Sequence, residues 1–249
     1  MKRWLKILIS VLLVIVLVIA GLAIWQWDNI KAAYTAFTSD AETISQQMEV
    51  KRQEQEQTLS EFNVTVQALD AAQTGDLLDG KVSAEEVKAS LGITQEMIDE
   101  AKAETEVKQE SSKKTSGKKA VSKPKLDTGK SAQEKANDLM NKCAAELYAC
   151  EVDLMAQLGE MKQSALAKWF IIPEEDRTDD KLISIGLTGL EQCYDLEVKA
   201  DKEVRGILAR YRTQLEGLGV KTTAIDDIWK YYCEKKANQK AYYLNKYIN

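Results

Sequence analysis

Hydrophobic positions along this chain fall into distinct regimes: an unbroken apolar run at the start, stripes at helical spacing, and one stretch almost without large apolar side chains. From Ile7 to Ile24 every residue is uncharged, and only Ser10 and Gly21 depart from apolar character. As a helix this run rises about 27 Å, close to the roughly 30 Å of a bilayer's hydrocarbon core. Trp4, Trp25 and Trp27 stand at its two ends, where indole rings favour the membrane interface. The pattern predicts a transmembrane helix over residues 7–27, preceded by a short N-terminus, residues 1–6.

Charge then sets the orientation. Lys2, Arg3 and Lys6 precede the apolar run, whereas Asp28, Asp40 and Glu42 follow it. Positive flanks resist translocation, so the N-terminus is expected in the cytoplasm and the rest outside it, with the chain held single-pass in the plasma membrane. Gly21-Leu22-Ala23 makes a poor cleavage site, because Ile24, Trp25 and Trp27 continue the apolar character beyond it, and no Cys near position 21 offers a lipid anchor. The segment reads as a retained signal-anchor.

Past the membrane, Ile30, Tyr34, Phe37, Ala41, Ile44 and Met48 recur at alternating four- and three-residue steps, which predicts a helical stalk over residues 28–60. The stripe serves either a membrane-proximal dimer seam, with Tyr34 and Phe37 as partner contacts, or a short amphipathic helix packed on its own domain. Residues 61–105 read as a small extended or α/β-like segment with short helices. There Phe62, Val64 and Val66 alternate with polar residues, and Thr74-Gly75 and Asp79-Gly80 mark turns. Ser83 with Glu86 forms a capping box opening a helix through about Leu91, and Thr94 to Glu96 begins another. Asp79, Gly80 and Glu86 also echo half of a calcium loop. The positions that should carry its first carboxylates are Gly75 and Leu77, so the turn-and-cap reading explains the residues better.

Residues 106–130 are Lys, Ser, Thr and Gly with little to bury, which predicts a flexible linker. Lys113, Lys114, Lys118, Lys119, Lys123 and Lys125 give it a positive field that suits either a solvated spacer or a grip on anionic wall polymer or lipid.

From Ser131 to the end, residues 131–249, the apolar period becomes strongly helical. Ala136, Met140, Cys143, Leu147, Cys150, Leu154, Leu158, Met161, Ala165, Trp169 and Ile172 make one stripe, ended by Pro173. After a cap at Thr178, Leu182, Leu190, Cys193, Leu196, Ala200, Val204, Ile207, Tyr211, Leu215 and Leu218 make a second, closed by Gly217 and Gly219. After Thr223, Trp229, Cys233, Ala237, Ala241, Leu244 and Ile248 make a third. Three such helices with short loops predict an antiparallel three-helix bundle or coiled coil. The fold class is therefore mainly α: transmembrane helix, stalk, linker, bundle.

The cysteines all fall on these stripes. They serve as small apolar core residues, or Cys233 meets Cys150 or Cys143 as a disulfide, since folding the hairpins brings it level with residues near Tyr148. The last helix carries Tyr231, Tyr232, Tyr242, Tyr243 and Tyr247, suited either to partner contact or to the edge of a core.

Composition narrows the chemistry. The chain has no His, which excludes Ser-His-Asp and Cys-His catalysis and the usual imidazole metal sites. A formal charge of −5 gives no reason to expect nucleic acid. The acids cluster at helix starts, as in Glu174-Glu175-Asp176 and Asp226-Asp227, where they complement the helix dipole. No catalytic residue, cofactor or metal ligand is expected, and the chain reads as no enzyme.

With Asn29-Ile30-Lys31-Ala32-Ala33-Tyr34 past the membrane, Val64-Thr65-Val66 beyond the stalk and Lys240-Ala241-Tyr242-Tyr243-Leu244 near the end, the chain resembles a group of single-pass, membrane-anchored helical proteins of Gram-positive bacteria. The resemblance implies the anchored architecture and the envelope location, and it brings no activity, ligand or catalytic residue. The expected function is a membrane-anchored, extracytoplasmic helical scaffold that touches the lipid bilayer and docks a protein partner or itself. The other expectation is a binding module for anionic wall polymer or lipid, carried by the Lys-rich linker.

Overall fold

The computed structural model describes residues 35, 38–101 and 131–248, and they are mainly helical. Glu56–Ile225 forms one compact unit, and the described parts of Met1–Gln55 and Asp226–Asn249 form another. The expected transmembrane helix 7–27 and the linker from residue 106 lie outside the described residues. Among those described, no helix is long and apolar enough to cross a membrane.

The larger unit is built on a helical hairpin. Helix α5, Ala132–Ile171, starts at a capping box in which Ser131 and Glu134 satisfy each other's backbone N–H groups. It stops where Pro173 forbids helical geometry at Ile172. A single 3-10 turn, Glu174–Asp176, reverses the chain. The Arg177 guanidinium donates to the carbonyls of Ile172 and Phe170, satisfying groups that the end of α5 leaves open. Helix α6, Asp179–Gly217, opens on the Thr178 cap and ends before Gly219, whose φ of 72° only glycine adopts freely.

Shorter elements precede the hairpin in the chain. Helix α1, Ala41–Ser60, runs out into a turn where Asn63 takes a left-handed φ of 52°, which Asn tolerates. Phe62, Val66, Ala68 and Leu69 of the following segment are buried, yet no strand exists among the described residues. The alternation seen in the sequence is an extended run. It is held by Asn141 of α5, whose Oδ1 accepts from the Thr65 N–H at 2.8 Å, and by the Gln67 N–H donating to the Leu91 carbonyl.

Helix α2, Ala71–Leu78, corrects the turn expected at Thr74-Gly75: Asp70 and Gln73 form a capping box that carries the helix through both residues. The turn at Asp79-Gly80 is present, with Gly80 at φ 67°. Helix α3, Ala84–Ser90, starts at the predicted Ser83–Glu86 box. Helix α4, residues 95–101, starts where Thr94 Oγ1 accepts from the Met97 N–H. Both α2 and α3 pack against α5. The core is densest around Met140, Cys143, Val152, Tyr211 and Leu215, none more than 2% exposed.

Helix α7, Thr223–Ile248, lies from Asp226 onward in the other unit, so the three stripes expected in one bundle are divided between the two. In that unit Ile44 of α1 packs on Ala241 of α7, with Met48 and Tyr242 beside them. Lys51 pairs with Glu234 at 3.4 Å, and Asn245 donates to the Ser39 carbonyl. Ile44 and Met48 thus use their part of the stripe within the chain, as a helix packed on its own domain does.

Candidate functional site: a helical hairpin with two apolar faces

The residues singled out in the sequence scatter. Tyr34, Phe37 and the lysines Lys113, Lys114, Lys118, Lys119, Lys123 and Lys125 lie outside the described residues, as does the side chain of Tyr247. Tyr231 is buried, and Tyr242 packs on the Ile44–Ala241 contact with Tyr243 edge-on to it at 5.3 Å. The ring of Tyr242 is thus occupied within its own unit. None of the four cysteines is joined in a disulfide, the Cys150–Cys233 pair included. Cys150 faces a groove of the larger unit, and Cys233 belongs to the smaller.

That groove has a volume of about 870 Å³ and lies along α5 and α6 beside α3 and α4. At its floor Glu146, 6% exposed, accepts from the Arg210 guanidinium and, at 2.6 Å, from the Tyr211 hydroxyl. Lys88 of α3 pairs with Asp153 at 2.7 Å and with Glu85. Burial alone would pull the Lys88 ammonium down, but these carboxylates hold it above its ordinary value. Burial also raises the Cys143 thiol and the Tyr211 hydroxyl, and it pushes Cys150 up to about 12, helped by the charges of Glu203, Asp153 and Glu151. These thiols stay protonated at neutral pH and offer no thiolate nucleophile. The lining mixes Lys199 and Lys202 with Glu203, and its most buried ions are already paired. Without a field of one sign, the groove does not concentrate a charged ligand.

Among the described residues no group of acids and cysteines could hold a metal ion. The half-loop at Asp79 is used otherwise. Asp79 accepts from Lys162 at 2.7 Å and pairs with Lys81, while Glu86 closes the Ser83 cap. Those two ammonium groups, Lys162 first, hold the Asp79 carboxyl down at about 2.

The unexpected feature is the distal half of the hairpin. The predicted α6 stripe is correct from Ala200 to Leu215, but Leu182, Leu190 and Cys193 at its start are exposed. The side of α6 turned to α5 there is Ile185, Gly189 and Gln192, which meet Met161 and Ala165 around a void of about 80 Å³. On the other side Ile183, Leu187, Leu190, Tyr194 and Val198 stand in water, with Leu187 62% and Leu190 67% exposed. At about 100° per residue, the two sets lie roughly 160° apart around the helix. Over this half α6 turns Ser184, Ile185, Thr188, Gly189 and Gln192 to the void beside α5 and leaves its most apolar side in water.

Two signals in the sequence could have found this face. Leu182-Ile183-Ser184-Ile185-Gly186-Leu187-Thr188-Gly189-Leu190 carries no charge, and its apolar residues do not fit one stripe. A helix hydrophobic all round asks for cover all round.

No protein-family model matches this chain, and neither a curated protein nor a solved structure matches it.

Proposed function

We propose that the protein is a membrane-anchored, extracytoplasmic helical scaffold of the bacterial cell envelope, which presents the distal half of its α5–α6 hairpin to a protein partner. The observation that carries the reading is the outward face of α6, a contiguous apolar seam on a surface where scattered single residues would be unremarkable. The apolar run over residues 7–27 and its basic N-terminal flank support the anchor and its orientation.

Topology is tested on intact cells with a membrane-impermeant thiol reagent and a Ser116→Cys variant. Labelling before lysis is the expected outcome. Labelling only after lysis overturns the orientation and moves the reading to the cytoplasmic face.

The Lys-rich linker supports a second reading, a grip on anionic wall polymer or lipid. Salt separates the two. Retention through the linker falls steeply as ionic strength rises, and docking through an apolar seam does not.

A further inference from the structure

We infer that the end of α7 returns to the bilayer that holds the chain's own anchor, with Tyr243 in its headgroup layer. The inference rests on the anchored-scaffold reading and gives the scaffold a second contact with lipid.

Geometry within the smaller unit carries it. Asn245 donates to the Ser39 carbonyl at 2.9 Å, Ala241 packs on Ile44, and Glu234 pairs with Lys51 at 3.4 Å. As one set of partners climbs from 39 to 51, the other descends from 245 to 234. Helix α7 is therefore antiparallel to α1, and its end lies beside Ser39, on the side from which the chain arrives.

Chain length then sets the distance. The apolar run closes at Trp27, and the Ser39 N–H already closes a helical turn on the Thr35 carbonyl. At the rise expected of a helical stalk, the twelve steps from Trp27 to Ser39 span about 18 Å. The bend at Asp40, which caps α1 by accepting from the Thr43 N–H, does not lengthen that path. Headgroups take up roughly 5–8 Å of it. Helix α7 runs on past Asn245 through Ile248, about 5 Å further. An anchored chain thus keeps the end of α7 close to lipid whatever angle the unit takes.

Composition makes the closeness a contact. Residues 235–249 hold Tyr242, Tyr243 and Tyr247 with four lysines and no acid. Tyrosine belongs to the aromatic belts of membrane interfaces, and lysine lays its stem on apolar surface while its ammonium stays in water. Tyr242 faces inward on the Ile44–Ala241 contact, whereas Tyr243, about 100° further round the helix, is only partly covered. Asp40 and Glu42 stand at the same end and offset much of the lysine charge. The contact is therefore aromatic first, and it tolerates salt.

The test uses the full chain in phosphatidylcholine vesicles carrying a spin-labelled headgroup as quencher. A fluorophore is placed on Asn249→Cys or, as the distant control, on Lys230→Cys, each in a Cys193→Ser, Cys233→Ser background. The two positions are about 28 Å apart along α7, so quenching at 249 should exceed that at 230 at least about fivefold. It should persist as salt rises from about 0.1 to 0.5 M. Tyr243→Ser should lower it by at least about half, with helicity by circular dichroism unchanged. Equal quenching at the two positions, or quenching that salt abolishes or Tyr243→Ser leaves intact, overturns the inference in a chain that floats with the vesicles. A chain that does not float overturns the anchored reading as well, so the two failures are distinguishable.

Discussion

A Cβ built on Gly159 of α5 would lie 2.5 Å from the carbonyl oxygen of Leu77 and 3.2 Å from the Cα of Leu78. The end of α2 rests directly on the backbone of α5, and the atoms in the way are main chain, which cannot rotate aside. Gly159→Ala should destabilise the fold by about 1–3 kcal/mol through overpacking. Gly186→Ala is the control. With open space around it, that substitution should stabilise by about 0.5–1 kcal/mol by removing a mid-helix glycine. Urea midpoints of the detergent-solubilised chain measure both.

Tyr211 and Glu146 form the buried polar contact of the hairpin core. Tyr211→Phe keeps the ring and removes the donor, leaving a carboxylate oxygen short of a partner in a dry site. A loss of about 1–3 kcal/mol is expected. The Tyr211→Phe and Glu146→Gln effects should add to more than the double variant loses, because the two groups share one hydrogen bond.

Thiol reactivity should follow burial. Cys193 is exposed, whereas Cys150 is held near 12 and Cys143 is fully buried. Alkylation at pH 8 followed by mass spectrometry should modify Cys193 first and Cys143 only on unfolding. Fast modification of Cys143 in the folded chain would contradict this packing.

Acid should loosen the corner at Asp79. Its carboxyl is depressed from 3.8 to about 2 by Lys162 and Lys81. The folded value lies below the unfolded one, so the stabilisation is present above about pH 4 and lost as pH falls through about 2. The Lys81 N–H, which donates to the Asp76 carbonyl, should exchange faster across that window. In Asp79→Asn the dependence should disappear.

The ends of the long helices were legible from residues that act locally. Ser131 with Glu134, Pro173, Thr178 and Gly219 each satisfy or forbid a backbone group within a few positions, so the sequence states their effect directly. The Asp70–Gln73 box acts just as locally and was masked by the turn signal of Thr74-Gly75. Which stripe meets which was not legible. Glu146 belongs to the core because Arg210 and Tyr211, far along the chain, come to meet it, and a period in one helix carries no information about its neighbour. The uncharged run Leu182–Leu190 does mark a helix whose apolar residues do not fit one stripe, but only the distance to α5 decides which of them are covered.

Ala101 and Ser131 are joined through a polar segment, yet the structure on either side of it is bound together independently. Asn141 holds Thr65, Asp153 holds Lys88, Lys162 holds Asp79, and Gly159 seats Leu77. The larger unit is thus held across that segment by side-chain and backbone contacts as well as by the chain itself. It should survive a protease nick there, reassemble from separately made fragments, and accept a foreign domain spliced between them.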